Sequence, residues 1–267
     1  MTELREIQLK ATALLGTLTK ILDAQGLRYY AVYGTLLGAV RHKGFIPWDD
    51  DVDIAMPRPD YERFVAIAKD IVPSPYQLKE RSISDRYNFF FAKFVDQTVA
   101  IDPTEPDRHV YSDNPYMWID IFPMDGIPSN ETKQDRFSRR ILSLKKWYKY
   151  SILDLSFPRN AAKKMAVFFL QRFLNTEKLY AKFSALVRSY DYDTSDAVVF
   201  ASDWVSSYDI YEKRIFDTVA VVPFESLELK APGEFREYLE KQYGDYMQLP
   251  PETDRPGHSY RLATRQR

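Results

Sequence analysis

Residues 44–56 read GFIPWDDDVDIAM and place four carboxylates (Asp49, Asp50, Asp51 and Asp53) within five positions, directly ahead of an apolar run. Acidic runs ordinarily lie in water, where their mutual repulsion is screened. This one leads into DIAM, which reads as the core half of a strand over 51–56. Alternate side chains of a strand share a face, so Asp49, Asp51 and Asp53 are expected on one side and Val52, Ile54 and Met56 on the other. Two like charges about 4 Å apart repel by about 1 kcal/mol in water and about 4 kcal/mol at an effective dielectric of 20. A partly buried pair such as Asp51 and Asp53 therefore calls for a cation or a proton. An all-oxygen donor set favours Mg²⁺ or Mn²⁺ over zinc. The bland alternative is a solvated acidic turn. An EF-hand loop starting at Asp49 fits poorly, because Ile54 stands where glycine is needed and Asp60 where glutamate is needed.

Upstream of the acids, residues 27–42 read as a strand (27–33), a Gly34-Thr35 turn and a short helix (36–42). A helix N-terminus offers free N–H groups and the positive end of the dipole. Gly34 lets backbone approach an anion, and Thr35 adds a hydroxyl. Ordinary capping explains the same two residues. The carboxylates that follow turn the reading toward a phosphate site, to which Arg41 and Lys43 add positive charge. Downstream, Asp120 sits between Ile119 and Ile121 in WIDIF. It becomes a third site carboxylate if its strand, 116–126, neighbours 51–56. The alternative is an edge strand with Asp120 in water. Lys93 in FFFAKFV and His258 in RPGHSY are looser donor contacts, against the plain readings of a snorkelling lysine and an exposed tail histidine.

Along the rest of the chain, residues 2–25 carry a helical stripe ended by Gly26, and 60–72 read as a helix after Pro57 and Pro59. Strand-like pieces follow at 76–82, 87–96 and 98–102. Residues 131–190 read as largely helical with a break near Pro158. A strand at 218–224 and a helix at 233–244 precede an irregular tail. This order predicts an α+β fold: a mixed-sheet core over 1–130, a helical subdomain over 131–215, and a C-terminal return to the core over 216–267. The 267 residues are 45% hydrophobic and 28% charged, enough for a sizeable core. The absence of cysteine excludes disulfides, thiolate zinc sites and cysteine nucleophiles, and suits a reducing cytoplasm. The N-terminal residues lack the order of a signal peptide. The longest uncharged apolar run, 165–171, is too short to span a bilayer.

The stretch 34–64, GTLLGAVRHKGFIPWDDDVDIAMPRPDYERF, resembles the signature of LicD-type phosphotransferases. WIDIFPMDG (118–126) and YGDYMQLPP (243–251) resemble its later blocks. The resemblance implies a nucleotidyltransferase fold of the polymerase-β kind. It maps Gly34 and Thr35 to a phosphate turn, Asp51 and Asp53 to a metal pair and Asp120 to a third acid. Asp49 and Asp50 belong to the acidic run without an assigned role.

The implied activity is transfer of a substituted phosphoryl group from a CDP-linked donor, foremost phosphocholine from CDP-choline. The expected acceptor is a hydroxyl of a cell-surface glycan, lipopolysaccharide or teichoic acid precursor. The alternatives are a CDP-ribitol or CDP-glycerol donor, a D-x-D glycosyltransferase, transfer of the nucleotide itself, and a non-catalytic glycan- or nucleotide-binding module. Trp48, Tyr87, Phe89, Tyr116 and Trp118 lie in or near the site segments and suit a cation–π cage for a quaternary ammonium, or simply the core. Residues 136–182 hold twelve Lys or Arg against two acids, leaving 25 basic and 36 acidic residues elsewhere. That basic, aromatic segment suits peripheral contact with an anionic inner leaflet, or a solvated helical face. No nucleic-acid module is evident.

Overall fold

The computed structural model describes residues 2–81, 87–103, 114–153, 160–202, 210–255 and 260–262. Helix α1 (Glu3–Ala24) starts where the Thr2 hydroxyl accepts the Arg5 N–H at 3.3 Å. It ends before Gly26, whose φ of +63° carries the chain away. The apolar stripe of α1 buries Ile7, Ala11, Leu14, Leu15, Leu18 and Leu22. The strand expected at 27–33 shrinks to β1 (Tyr30–Ala31), because α2 (Tyr33–His42) already begins at Tyr33. β2 (Asp53–Pro57) starts two residues later than expected and runs straight into α3 (Arg58–Ile71). Pro59 in the first turn of α3 suits a position whose N–H needs no helical partner.

β3 (Tyr76–Lys79), β4 (Ala92–Pro103) and β5 (Tyr116–Ile127) follow, then α4 (Glu131–Ile152), α5 (Ala161–Gln171) and α6 (Thr176–Val187). Four of the described strands were not foreseen, β6 (Ala197–Val199), β7 (Ile210–Glu212), β9 (Leu227–Pro232) and β10 (Tyr260–Leu262), the last in a tail expected to be irregular. β8 (Val219–Phe224) and β9 (Leu227–Pro232) form a separate hairpin ahead of α7 (Phe235–Tyr243), and β10 (Tyr260–Leu262) closes the described chain.

The main sheet runs β1-β2-β5-β4-β10, with β3 on β4 and with β6 joining β5 to β7. β2 and β5 are parallel, and the other pairs are antiparallel. The mixed α+β architecture read from the sequence is therefore present. β5 is the spine of the sheet. From Met117 to Ile127 every side chain is buried except Asp120. β2 repeats the pattern, with all positions buried except Asp53. The largest core cluster packs α1, α2, α3 and α7 around this sheet. A second cluster joins Phe137, Ile141 and Tyr148 of α4 to Phe183 and Val187 of α6 and to Ile127, Ala197 and Val199 at the far end of the sheet. Helices α4 and α6 are thus seated on β5 and β6. No helix among the described residues is long and apolar enough to cross a membrane.

Candidate active site

The two part-buried acids of the central strands are neighbours. In the parallel β2–β5 ladder Asp53 is in register with Asp120, and the Asp120 N–H donates to the Val52 carbonyl at 3.0 Å. Strand pairing therefore brings together the second and third acids expected from the sequence. Asp51 lies ahead of the strand. With Asp49 and Asp50 it forms a group whose carboxylate oxygens all lie within 4.8 Å of one another. Burial alternates over 49–54 as expected, with Asp49, Asp51 and Asp53 part-exposed and Asp50, Val52 and Ile54 buried, although the strand itself begins only at Asp53. The acids form two linked sets, a loop triplet (49–51) and a strand pair (53 and 120).

These charges act on one another. Burial, then the charges of Asp120, Asp51 and Asp49, push the Asp53 carboxyl well above the usual carboxylate range, and Lys93 opposes them. Burial and the Asp51 charge push Asp49 up to about 6, against the N–H groups of Asp51 and Asp50 that hold its charged form. Carboxylates held this closely fit a hard divalent cation, since oxygen donors are the only ones present and their repulsion is what such an ion relieves.

Lys93 is not a surface lysine. It is buried in β4, in register with Asp120, and its ammonium donates to Asp120 Oδ1. Three rings surround that ammonium, with Trp118 at 4.2 Å, Phe89 at 5.0 Å and Phe91 at 5.4 Å from Nζ to the centroid. Two of the rings read as a possible cage for a quaternary ammonium, Phe89 and Trp118, thus face the protein's own cation. Trp48 lies against Arg255 at 4.5 Å, and the buried Tyr87 hydroxyl donates to the Phe91 carbonyl at 2.9 Å.

Gly34 and Thr35 sit inside the first turn of α2, not ahead of it. Val32, at the cap position, gives no side-chain cap. The Tyr33 N–H donates to the Tyr238 hydroxyl at 3.2 Å. Tyr33 itself has φ +48°, a left-handed conformation that costs a non-glycine residue about 1–3 kcal/mol. Its ring is held between Phe122 at 5.5 Å and Phe200 at 5.4 Å. The Thr35 hydroxyl is buried and accepts the Asp53 N–H at 2.8 Å, so it ties α2 to the site strand instead of capping the helix. A Cβ on Gly34 would lie 2.8 Å from Asp49 Oδ2. The anion that Gly34 admits so closely is this side chain, which also accepts the N–H of Asp50 at 3.0 Å and of Asp51 at 3.4 Å.

Arg41 holds chain rather than open space. Its Nε donates to His42 at 2.9 Å, and Nη1 donates to the carbonyls of Tyr246 at 3.0 Å and Gln248 at 3.5 Å. It thereby ties the first motif block to the last. His258 lies outside the described residues.

Two supports were missed in the sequence. Gln8 of α1 is buried and donates Nε2 to the Asp49 carbonyl at 2.9 Å. Glu225, in the β8–β9 turn, donates its N–H to the Lys43 carbonyl at 2.8 Å and accepts both nitrogens of Arg5, at 2.9 and 2.6 Å. Gln8 had a visible signal, since it is a polar residue inside an apolar helical stripe. Glu225 had none, because its partners lie about 180 and 220 residues away.

Residues 26–167 match the family described as LicD/FKTN/FKRP, nucleotidyltransferase domain. The chain is 31% identical over 267 residues to the lipopolysaccharide cholinephosphotransferase LicD of Haemophilus influenzae, an alignment covering 96% of this chain and 95% of that protein. It is 31% identical over 121 residues to the mouse ribitol 5-phosphate transferase FKRP, covering 43% of this chain and 21% of that protein. An uncharacterised Rickettsia typhi protein, RT0683, is 39% identical over 112 residues, covering 42% of this chain and 33% of its own. The match takes in the acid loop, the β2–β5 pair and the first turn of α2, and the Haemophilus alignment runs nearly end to end in both chains: this protein belongs to the LicD family.

Proposed function

We propose that this protein transfers phosphocholine from CDP-choline to a hydroxyl of a cell-surface glycan in a reaction that depends on a divalent metal. The observation that carries the reading is the near-complete alignment, in both directions, with a lipopolysaccharide cholinephosphotransferase. The pairing of Asp53 with Asp120 beside the acid loop supports it chemically. In this reading Asp51, Asp53 and Asp120 hold Mg²⁺ or Mn²⁺, with Asp49 and Asp50 next to them. The ion, when bound, neutralises charge that develops on the entering and leaving oxygens.

The chain's own groups do the rest. The N-terminal turn of α2, at Gly34 and Thr35, presents its positive end to the donor diphosphate. Lys93 donates to Asp120 Oδ1 and fixes the direction of that carboxyl. As the alternative to completing the metal site, Asp120 takes the proton of the acceptor hydroxyl as the acceptor oxygen bonds to the distal phosphorus. The bond from that phosphorus to the bridging oxygen breaks, and CMP leaves. The active form works from the cytoplasmic side, where CDP-linked donors are made.

Titration calorimetry with CDP-choline, CDP-ribitol and CDP-glycerol, each with and without Mg²⁺, tests the donor. CMP release in the presence of acceptor glycan tests the transfer. CDP-choline is expected to bind tightest, and only with the ion. Tighter binding of CDP-ribitol would favour a second reading, polyol-phosphate transfer, which the partial likeness to a ribitol 5-phosphate transferase supports.

A further inference from the structure

Helix α5 wears its apolar face outward. Met165, Phe168 and Phe169 follow the i, i+3, i+4 spacing of one helix face and are 62%, 46% and 55% exposed, and Phe173 in the next turn is 85% exposed. The inward side is thin. Val167 is the one buried residue of α5, and Gln171 pins the helix end to α4 by donating to the carbonyls of Tyr150 at 3.0 Å and Leu153 at 2.8 Å. A helix that served only the core would turn the phenylalanines the other way. Contiguous exposed aromatic surface marks an interaction site.

The charge around this face selects the occupant. Lys163, Lys164 and Arg172 flank the phenylalanines and are exposed, as are Lys146 and Lys149 on the last turns of α4. Among the described residues of 136–182 the one acid is Glu177, and Arg81 holds it at 3.0 and 3.2 Å. A second copy of this chain meeting the face across a two-fold axis would set like charges against each other. A negatively charged bilayer surface matches both properties, taking the rings at the acyl boundary and the ammonium groups at the headgroups.

We propose that α5 is an interfacial anchor that seats the protein on a bilayer containing anionic lipid. The four exposed apolar residues enter the headgroup–acyl boundary, and the flanking lysines and Arg172 stay at the phosphates. The site acids lie on other elements, so the anchor stands independently of the donor assigned above.

Flotation of the full chain with vesicles of phosphatidylcholine plus phosphatidylglycerol, and of phosphatidylcholine alone, is the test. The wild type is expected to float with the anionic vesicles and to stay largely in solution with the neutral ones. Phe168→Ser, Phe169→Ser and Phe173→Ser together should lower the partition about tenfold or more. Lys163→Glu with Lys164→Glu should erase the preference for anionic lipid, an effect that salt mimics. The emission of Phe169→Trp should shift to the blue on adding anionic vesicles. Failure of the wild type to float, equal flotation of the triple serine variant, or an unmoved tryptophan emission overturns the anchor. So does a concentration-dependent dimer, seen by sedimentation, that the triple variant loses while no flotation is seen.

Discussion

The two ends of β5 each carry a carboxylate facing a buried cation, and they are built to opposite purposes. At the far end, Asp125 is fully buried and accepts Nε of Arg58 at 2.6 Å and Nη2 at 3.0 Å, a forked pair that joins β5 to α3. Burial still holds the Asp125 carboxyl above the usual carboxylate range, against the pull of Arg58. One acid meets one matched base there, and the charges close. At the near end, Asp120 meets Lys93, but Asp53 lies beside it and Asp49, Asp50 and Asp51 crowd the approach. The same strand thus holds one forked ion pair at one end and, at the other, an acid set around Asp53 whose members raise one another's affinity for protons. Identical side chains on one strand do different work because of how many acids stand around each.

The largest test removes an acid from the acid-rich end. If the proposed function holds, Asp53→Asn is expected to lower transfer about 10³-fold or more, since in that reading Asp53 is a ligand of the ion that stabilises the reacting oxygens. It should also raise the melting temperature in the presence of EDTA, because it removes one of the repelling charges. A variant that stays active, or that melts lower without the ion, breaks the comparison. The matching change at the Asp125 end acts on folding. Arg58→Met leaves Asp125 buried and unpaired, and should cost about 3–5 kcal/mol in urea titration, far more than any site-acid change.

Divalent ions separate the ends further. Mg²⁺ or Mn²⁺ should raise the melting temperature of the wild type in proportion to the logarithm of its concentration, and Asp51→Asn with Asp53→Asn should abolish the rise. Next in size is Thr35→Val, which leaves the Asp53 N–H without its acceptor. A loss of about 1–3 kcal/mol is expected, with Thr35→Ser near wild type.

The smallest effect concerns the pH response of the loop support. Arg5 holds the Glu225 carboxyl below the ordinary carboxylate range, chiefly by hydrogen bonding. The folded state therefore favours the ionised form. Its contribution is complete above the unfolded value and is lost as the pH falls through the lowered folded value. The pair is partly exposed, so the contribution is at most about 1 kcal/mol. Glu225→Gln should flatten that part of the acid limb in pH-dependent melts, and an unchanged limb would remove Glu225 from the account.

Much of this could be read in the residues themselves. The stripe of α1, the span of α3 and the whole of β5 follow from spacing that recurs within a few positions, and they form nearly where expected. Asp120 was conspicuous because an acid between two isoleucines has to be accounted for. Other parts left little trace. β1 is two residues long because packing of the Tyr33 ring starts α2 early, which no propensity indicates. β6 and β7 are three residues each, too short for a period, and exist because the far end of β5 offers an edge to pair with. Lys93 read as a loose donor contact or a snorkelling surface lysine, and only the strand register set it against Asp120.

By itself, the sequence determined which chemistry is available: a dense set of carboxylates ahead of a strand, a glycine-opened helix start, and a separate basic, aromatic segment. Residue type and short-range period carry that information. Tertiary structure alone decided which acids meet. It set Asp53 beside Asp120 across 67 positions, pressed Asp49 against Gly34, and turned the rings of α5 outward. Those choices depend on strand register and on which faces are buried, and both arise from contacts between segments far apart in the chain.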